Sequence, residues 1–366
     1  MKLRWPGIKI LDRYIIGKFL GTYFFAIAMI IVIVVIFDYV EKVDDFTETH
    51  ATRKEIVNYY INFIPSFISQ FSSLFTFIAV IFFTSKMAYQ TEIIAMLSGG
   101  MSFRRLMWPY FLGALIIAGV SMSLSLWVIP ATQRYIVEFE SLHNRRRMNV
   151  KYDRHIYRQI EPGQFVYIRG YNEASGGASF FSLEEYDSGT IVRSLEAADV
   201  KFDAESKRWS AARYTRREFD SLGNERFSQH RNLDTLINLE VAEIGQIQYM
   251  IKALKINELN EFLDQQRAKG SDSINIIEVE RHTRFSYPLS TFVLTLIGVS
   301  LSSRKVRGGT GLHIGIGIAL CFSYILFMRF AGEFAKSGAM AAGLAVWLPN
   351  ILYLGIAIYL YIKAPK

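Results

Sequence analysis

The chain has 366 residues, 51% of them apolar and 14% aromatic, and its formal net charge at pH 7 is +8. So large an apolar fraction is unusual for a soluble domain and favours a membrane protein. The sequence carries no phosphate-loop, nucleophile-elbow or zinc-protease motif, and its histidines and single cysteine have no metal-ligand spacing. It therefore predicts neither catalytic residues nor a metal site.

Six uncharged stretches are each long enough, at about 1.5 Å per helical residue, to cross about 30 Å of hydrocarbon. The first follows several basic residues, as a signal peptide would, but it is longer than a signal-peptide core and lacks a small-residue cleavage site. We therefore expect it to be a retained helix. The stretches are 19–37, 59–85, 106–132, 285–303, 308–328 and 337–362.

The distribution of lysine and arginine predicts the topology. The side that holds both termini carries thirteen basic residues against two acids, Asp12 and Glu92, whereas the first loop on the other side is mainly acidic. By the positive-inside rule both termini are cytoplasmic. The segment 131–281 has 22 Lys/Arg and 24 Asp/Glu, so the net positive charge reflects topology rather than nucleic-acid binding.

The segment between the third and fourth apolar stretches, 131–281, is predicted to be a separate domain. Stretches such as QFVYIRGY and SFFSLEEY alternate in the manner of strands, with turns between them, while both ends of the segment have helical periodicity. This pattern favours a sandwich, barrel or jelly roll outside the cytoplasm.

The stretch TEIIAMLSGGMSFRR, residues 91–105, predicts a helix of about two turns between the second and third apolar stretches. A helix this short needs a partner, because it is marginal alone in water. One interpretation is an interfacial helix lying on lipid. The other is a coupling helix, at about 89–101, that fits a cleft in a separate ATPase. The residues assigned to this contact are Thr91 as the helix cap, Glu92, Ile93, Ile94, Leu97 and Gly99.

Three charged residues at the outer ends of the apolar stretches form a candidate rim for an anionic lipid headgroup. They are Lys42, Arg329 and Glu333. The alternative is an ordinary ion pair between Arg329 and Glu333, four residues apart, together with a lysine that extends toward water.

Five segments carry a family resemblance by their content and their order along the chain. They are ILDRYIIGKF at 10–19, TEIIAMLSGGMS at 91–102, ELNEFL at 258–263, ERHTRFSYPLSTFVLTLIGVSLSSR at 280–304 and VWLPNILY at 346–353. In this order, and with the insert in the middle, the chain resembles the permease subunits of the lipopolysaccharide-export ABC transporter over essentially its full length. The LDRY segment favours the paralogue called the G subunit.

The resemblance implies a subunit that extracts lipopolysaccharide from the bacterial inner membrane and passes it to a periplasmic bridge. It implies four kinds of partner: a paralogous permease, a dimeric cytoplasmic ATPase, a single-helix membrane protein with its own jellyroll, and lipopolysaccharide. The chain itself would bind no cofactor, since ATP and Mg²⁺ would be used by the ATPase. By analogy with the family, the walls of the lipid cavity are Phe24, Phe25, Met29, Ile33 and Phe37 on the first helix, and Ile318, Phe322 and Ile325 on the fifth.

The sequence thus predicts an α-helical membrane protein with six transmembrane helices and an all-β, jellyroll-like periplasmic domain inserted between helices 3 and 4. The expected domains are 1–130, 131–281 and 282–366. Three alternatives remain: a permease for another amphiphile, a membrane scaffold or receptor without transport, and a membrane acyl- or glycosyltransferase. The missing catalytic residues disfavour the transferase.

Overall fold

The structure is a computed structural model that describes residues 9–143, 151–152, 156–172, 176–187, 189–203, 208–219, 224–236, 247–268, 271, 273–303 and 311–364. The chain divides into two compact units. The first comprises Met1–Val43, Arg53–Tyr135 and Glu278–Lys366, and the second comprises Asp44–Thr52 and Ile136–Ile277. The last residues of the first helix and the turn after it thus belong to the second unit.

The helices before the insert are α1 (Ile10–Glu48), α2 (Arg53–Tyr89), α3 (Glu92–Ser98) and α4 (Phe103–Ser123), which continues through a π-helical turn (Leu124–Val128) into α5 (Ile129–His143). Those near the end of the insert and after it are α6 (Ile247–Ala253), α7 (Ile256–Ala268), α8 (Ile274–Ser302), α9 (Gly311–Lys336) and α10 (Ala342–Lys363). Among the described residues, six helices are long and apolar enough to cross a membrane: α1, α2, α4 with α5, α8, α9 and α10. This confirms the predicted number.

The helices of the first unit pack in two main groups around α2. Residues of α1, α2, α3 and α4 share one buried cluster, and residues of α2, α8, α9 and α10 share another. Glycines allow close approach in both: a Cβ at Gly113 would lie 2.4 Å from Phe19, and a Cβ at Gly298 would lie 2.9 Å from Val80. Small residues at such contacts are typical of membrane helices, whose association depends on close packing.

A buried polar network joins α8, α9 and α10. The amide of Asn350 donates to the hydroxyl of Ser286 at 2.7 Å, and its side-chain oxygen accepts from the hydroxyl of Tyr324 at 2.8 Å. Ser286 in turn donates to the Val346 carbonyl at 3.1 Å, four residues before Asn350 on α10. Polar groups without partners are costly in hydrocarbon, so this satisfied network explains how the segments around 286 and 350 carry polar residues inside apolar helices.

The second unit contains one antiparallel sheet. Its strands are β1 (Lys151–Tyr152), β2 (Ile156–Glu161), β3 (Gln164–Asn172), β4 (Gly177–Asp187), β5 (Thr190–Asp203), β6 (Arg208–Phe219) and β7 (Glu225–Leu236). Strands β2 to β7 pair in sequence order, and β1 pairs with β3.

One face of the sheet forms the core of the β domain. Val166 and Ile168, two residues apart on β3, point to the same face and are buried with Phe181 of β4 and Trp209 of β6. Among the described residues, every member of this cluster lies on a strand. The fold class predicted from the sequence, six spanning helices with an all-β insert after the third, is confirmed.

Candidate functional site

The short helix α3 is anchored to the spanning helices by its inner face. Ile93 is fully buried in the cluster shared by α1, α2 and α4, and Met96 and Leu97 are partly buried against it. Ile94, Ala95 and Ser98 are exposed. The helix therefore presents a small face outward while its other face is held by the core, as a docking element requires.

The apolar stripe expected on this helix is divided between two faces. Ile93 and Leu97 are four residues apart and both point inward, whereas Ile94 points outward. Leu97 was expected to be an outward contact beside Ile94. Leu97 is partly buried against the core of its own chain, and Ile94 is the more exposed of the two. The role of both residues toward an ATPase stays a prediction.

Both ends of α3 differ from the predicted capping. Thr91 has φ +64° and its hydroxyl donates to the carbonyl of Gln90 at 2.7 Å, so its side chain does not cap the helix. The left-handed backbone reverses the chain directly after α2, and it turns the Thr91 side chain away from the first helical amides. At the other end the left-handed residue is Gly100, at φ +86°, rather than Gly99.

The C-terminal turn of α3 is closed by two backbone hydrogen bonds. The amide of Gly100 donates to the Leu97 carbonyl at 3.1 Å, and the amide of Met101 donates to the Met96 carbonyl at 3.2 Å. This pair of bonds defines a Schellman motif, in which glycine is favoured at the left-handed position. Gly100 is therefore the residue whose conformational freedom the end of α3 needs.

Glu92, in the first turn of α3, contacts α1 within the same chain. The hydroxyl of Tyr14 donates to its carboxylate at 3.1 Å. Glu92 was predicted to contact a basic group on an ATPase. One of its carboxylate oxygens already accepts the hydrogen bond from Tyr14. That assignment stays a prediction.

Two charged residues that sequence reasoning did not single out lie beside α3. Asp12 of α1 is only 2% exposed, and its two carboxylate oxygens each accept a hydrogen bond of 2.6 Å from the guanidinium of Arg105 on α4. Its Oδ2 also accepts from the amide of Lys9 at 2.8 Å. A signal was available: the side that holds both termini has thirteen basic residues and two acids, Asp12 and Glu92, and each of these acids contacts a neighbouring element.

The candidate rim residue Lys42 lies inside a cluster of partners. Its ammonium is 2.9 Å from the carboxylate of Asp38, donates to the hydroxyl of Tyr59 at 2.6 Å, and lies 4.9 Å from the centre of the Tyr59 ring. Tyr60 donates to the same carboxylate at 3.0 Å. Lys42 therefore joins α1 to α2, and an incoming anion would have to compete with Asp38 for its charge.

The other two rim candidates lie on α9. Arg329 is exposed at the edge of a cavity of about 40 Å³ that Ser73, Tyr287 and Tyr324 also line. The expected pair between Arg329 and Glu333 is replaced by an ion pair of Glu333 with Lys336, at 2.7 Å. Residues three apart on a helix are as close as residues four apart, so the ammonium of Lys336 can reach this carboxylate. Within the described part of the chain, Arg329 forms no ion pair, and its role at a lipid rim stays a prediction.

The eight candidate wall residues occupy two separate faces. The five on α1 are exposed, and the buried side of the same helix, at Ile15, Phe19, Tyr23 and Ile27, packs into the cluster with α2 and α4. On α9, Ile318 and Phe322 are exposed and Ile325 is partly buried in the cluster with α8 and α10. Each face can form one wall. Their roles in lipid contact stay predictions.

The β domain has a cleft of about 280 Å³ beside its core. Leu183 and Leu195, paired across β4 and β5, contribute apolar surface, and Arg216 of β6 lies next in the register. The carboxylate of Glu218 lies between two arginines, 2.7 Å from Arg216 and 3.8 Å from Arg193. The lining is therefore amphipathic. The remaining lining residues are Gln164, Glu185 and Tyr214.

Within the described ranges, no group of three or more His, Cys, Asp or Glu side chains is arranged to hold a metal ion. Six helices able to cross a membrane, with an all-β domain after the third, define a multi-pass membrane protein.

The chain belongs to the family described as "Lipopolysaccharide export system permease LptF/LptG", which it matches over residues 13–363. No curated protein matches the chain. The family resemblance stated from the sequence is confirmed. Members of this family are transport permeases, not catalysts, and both paralogues fall within the one family.

Proposed function

We propose that this chain is one permease half of an ABC exporter that extracts lipopolysaccharide from the bacterial inner membrane and delivers it to a periplasmic bridge. The observation that carries the proposal is a pair of exposed apolar faces, one on α1 and one on α9. The buried sides of these two helices pack into different clusters of the same chain. A paralogous permease, placed so that each α1 faces a partner α9, would close these faces into one cavity. The assignment of this chain to the G paralogue, from residues 11–14, stays a prediction.

Energy for extraction would come from a separate dimeric ATPase. Exposing acyl chains to water costs about 0.8 kcal/mol per CH₂, so a multi-chain lipid cannot leave the bilayer unaided. The sequence has no phosphate-binding loop, so ATP and Mg²⁺ would be bound by the ATPase. The ATPase itself would dock on the exposed face of α3. Both termini would then be cytoplasmic, consistent with the basic residues on that side.

The β domain would receive the lipid on the periplasmic side. Its cleft combines the apolar surface of Leu183 and Leu195 with the guanidinium groups of Arg193 and Arg216, which suits a ligand with both acyl chains and phosphate. The phosphate would have to compete with the Glu218 carboxylate, which both arginines contact. A single-helix membrane protein with its own jellyroll would extend this path toward the bridge.

Photocrosslinking in proteoliposomes tests the proposal. A photoreactive residue at Leu195 in the complex with the ATPase should crosslink lipopolysaccharide only when MgATP is present. The same residue at Phe227, an exposed position on β7, serves as the control. Crosslinks of equal yield without ATP would contradict a driven conduit. Mass spectrometry of the co-purified lipid identifies whether the substrate is lipopolysaccharide or another amphiphile. Absence of an ATPase from the purified, folded permease would favour a scaffold.

A further inference from the structure

The cytoplasmic end of α1 is fastened to the elements on both sides of the α3 turn. Asp12 forms its two-point ion pair with Arg105, in the first turn of α4, and Tyr14 donates to Glu92, in the first turn of α3. Arginine–carboxylate pairs with two parallel hydrogen bonds are stronger and more directional than single contacts. The α1 start is therefore fixed in orientation as well as in position.

Packing reinforces these polar contacts. Ile15 and Phe19, one and two turns along α1, are buried in the cluster that also contains Ile93 of α3. Phe19 leaves no room for a Cβ at Gly113 of α4. The helix α3 therefore cannot move away from the start of α1 without opening a packed interface, since packed cores do not deform continuously.

The middle of α1 is held less tightly than its start. Every fourth residue from Ile15 to Ile27 is buried, but none of residues 28–37 is, and beyond them Asp38 and Lys42 join α1 to α2. This lightly packed segment contains Met29, Ile33 and Phe37, the candidate cavity wall. A tilt at the fastened start of this continuous helix therefore displaces the lightly packed segment, because few buried side chains hold that segment in place.

We propose that Asp12, Arg105 and Tyr14 form a clamp that transmits movement of α3 to the lipid-facing segment of α1. These are positioning residues: they touch neither ATP nor lipid and act by holding α1 to the α3–α4 turn. The inference rests on the proposed function, because it requires an ATPase that moves α3. It adds a specific path by which the movement reaches the cavity wall.

Two reporter positions separate movement of α3 from movement of α1. Cys321 is the only cysteine, so a Cys321→Ala background allows single fluorophores at Gln90, exposed beside α3, and at Val32, exposed on α1. In the complex with the ATPase, MgATP should change the signal at both positions. Asp12→Asn and Arg105→Gln should preserve the Gln90 response and reduce the Val32 response by about tenfold, within the usual range of coupling between sites.

Controls distinguish a clamp from a general structural role. Arg104→Gln changes the exposed neighbour of Arg105 and should leave both responses unchanged. Tyr14→Phe removes one hydroxyl and keeps the ring, so it tests the clamp even if the charge variants do not assemble; a reduced Val32 response is expected. Exchange of the pair, Asp12→Arg with Arg105→Asp, should recover part of the Val32 response.

The outcomes are distinct. Unchanged Val32 responses in Asp12→Asn, Arg105→Gln and Tyr14→Phe would overturn the clamp while leaving the proposed function intact. A Gln90 reporter that does not respond to MgATP in the reference complex would instead overturn ATPase docking at α3, and the clamp with it. Equal loss at both reporters would show a structural role and would also overturn the clamp.

Discussion

Lys42 and Asp38 lie one helical turn apart on α1, and the ammonium of Lys42 is 2.9 Å from the Asp38 carboxylate. Both side chains are about four-fifths buried, and Tyr59 and Tyr60 complete the cluster from α2. A lipid phosphate bound at Lys42, as predicted from the sequence, would need the position of this carboxylate. A headgroup that reaches Lys42 must therefore displace Asp38. The Asp38 carboxylate thus competes with the lipid phosphate for Lys42, and the pair also forms part of the contact between α1 and α2.

The first prediction follows from this competition. Replacing Asp38 by Asn keeps the side-chain size and removes the internal anion, so the lipid concentration for half-maximal stimulation of ATP hydrolysis should fall by about threefold. Titration of the reconstituted complex with lipopolysaccharide measures this half-maximal concentration. Tyr60→Phe, which removes one hydrogen bond to the same carboxylate, is the matched control and should change the midpoint much less. A higher midpoint in Asp38→Asn would mean that the lipid does not use Lys42.

The second prediction concerns the available charge on α9. Arg329→Glu should lower lipid-stimulated ATP hydrolysis by about tenfold with normal recovery of the complex, because a charge-assisted phosphate contact becomes a repulsion. Glu333→Lys changes charge by the same magnitude one turn away, where the native carboxylate pairs with Lys336. It should retain stimulation. Equal stimulation in Arg329→Glu and the reference protein would remove Arg329 from the rim.

Much of the fold was predictable because it depends on local patterns. Uncharged stretches located the six spanning helices, and alternation in segments such as QFVYIRGY located strands. The contacts of the site were less predictable, because they join residues far apart in sequence. The pair of Asp12 with Arg105 spans 93 positions, and which face of α3 is buried depends on the helices around it. Thr91 resembles a helix cap by composition, but the chain reversal after α2 imposes a left-handed backbone there.

A third prediction tests the buried network around Asn350. Asn350→Leu leaves Tyr324 without its acceptor and Ser286 without its amide donor, so it should destabilise the helical unit by roughly 1–2 kcal/mol. Thermal unfolding of the purified complex in detergent measures the loss. Ile351→Leu, at the exposed neighbouring position, is the control and should leave the melting temperature unchanged. An equally stable Asn350→Leu variant would show that the network contributes specificity rather than stability.

The last prediction concerns the two faces of α3. Ile94→Asp places a charge on the outward face, where Ile94 is 42% exposed, so the permease should fold normally while recovery of the ATPase falls by about tenfold. Leu97→Asp buries a charge in the cluster with α1 and α4, so it should reduce the amount of folded permease itself. Measuring the yield and melting temperature of the permease beside the recovered ATPase separates the two effects. Ile94→Val retains an apolar contact and should keep the ATPase. Full ATPase recovery with Ile94→Asp would mean that α3 lies on lipid rather than in a cleft of the ATPase.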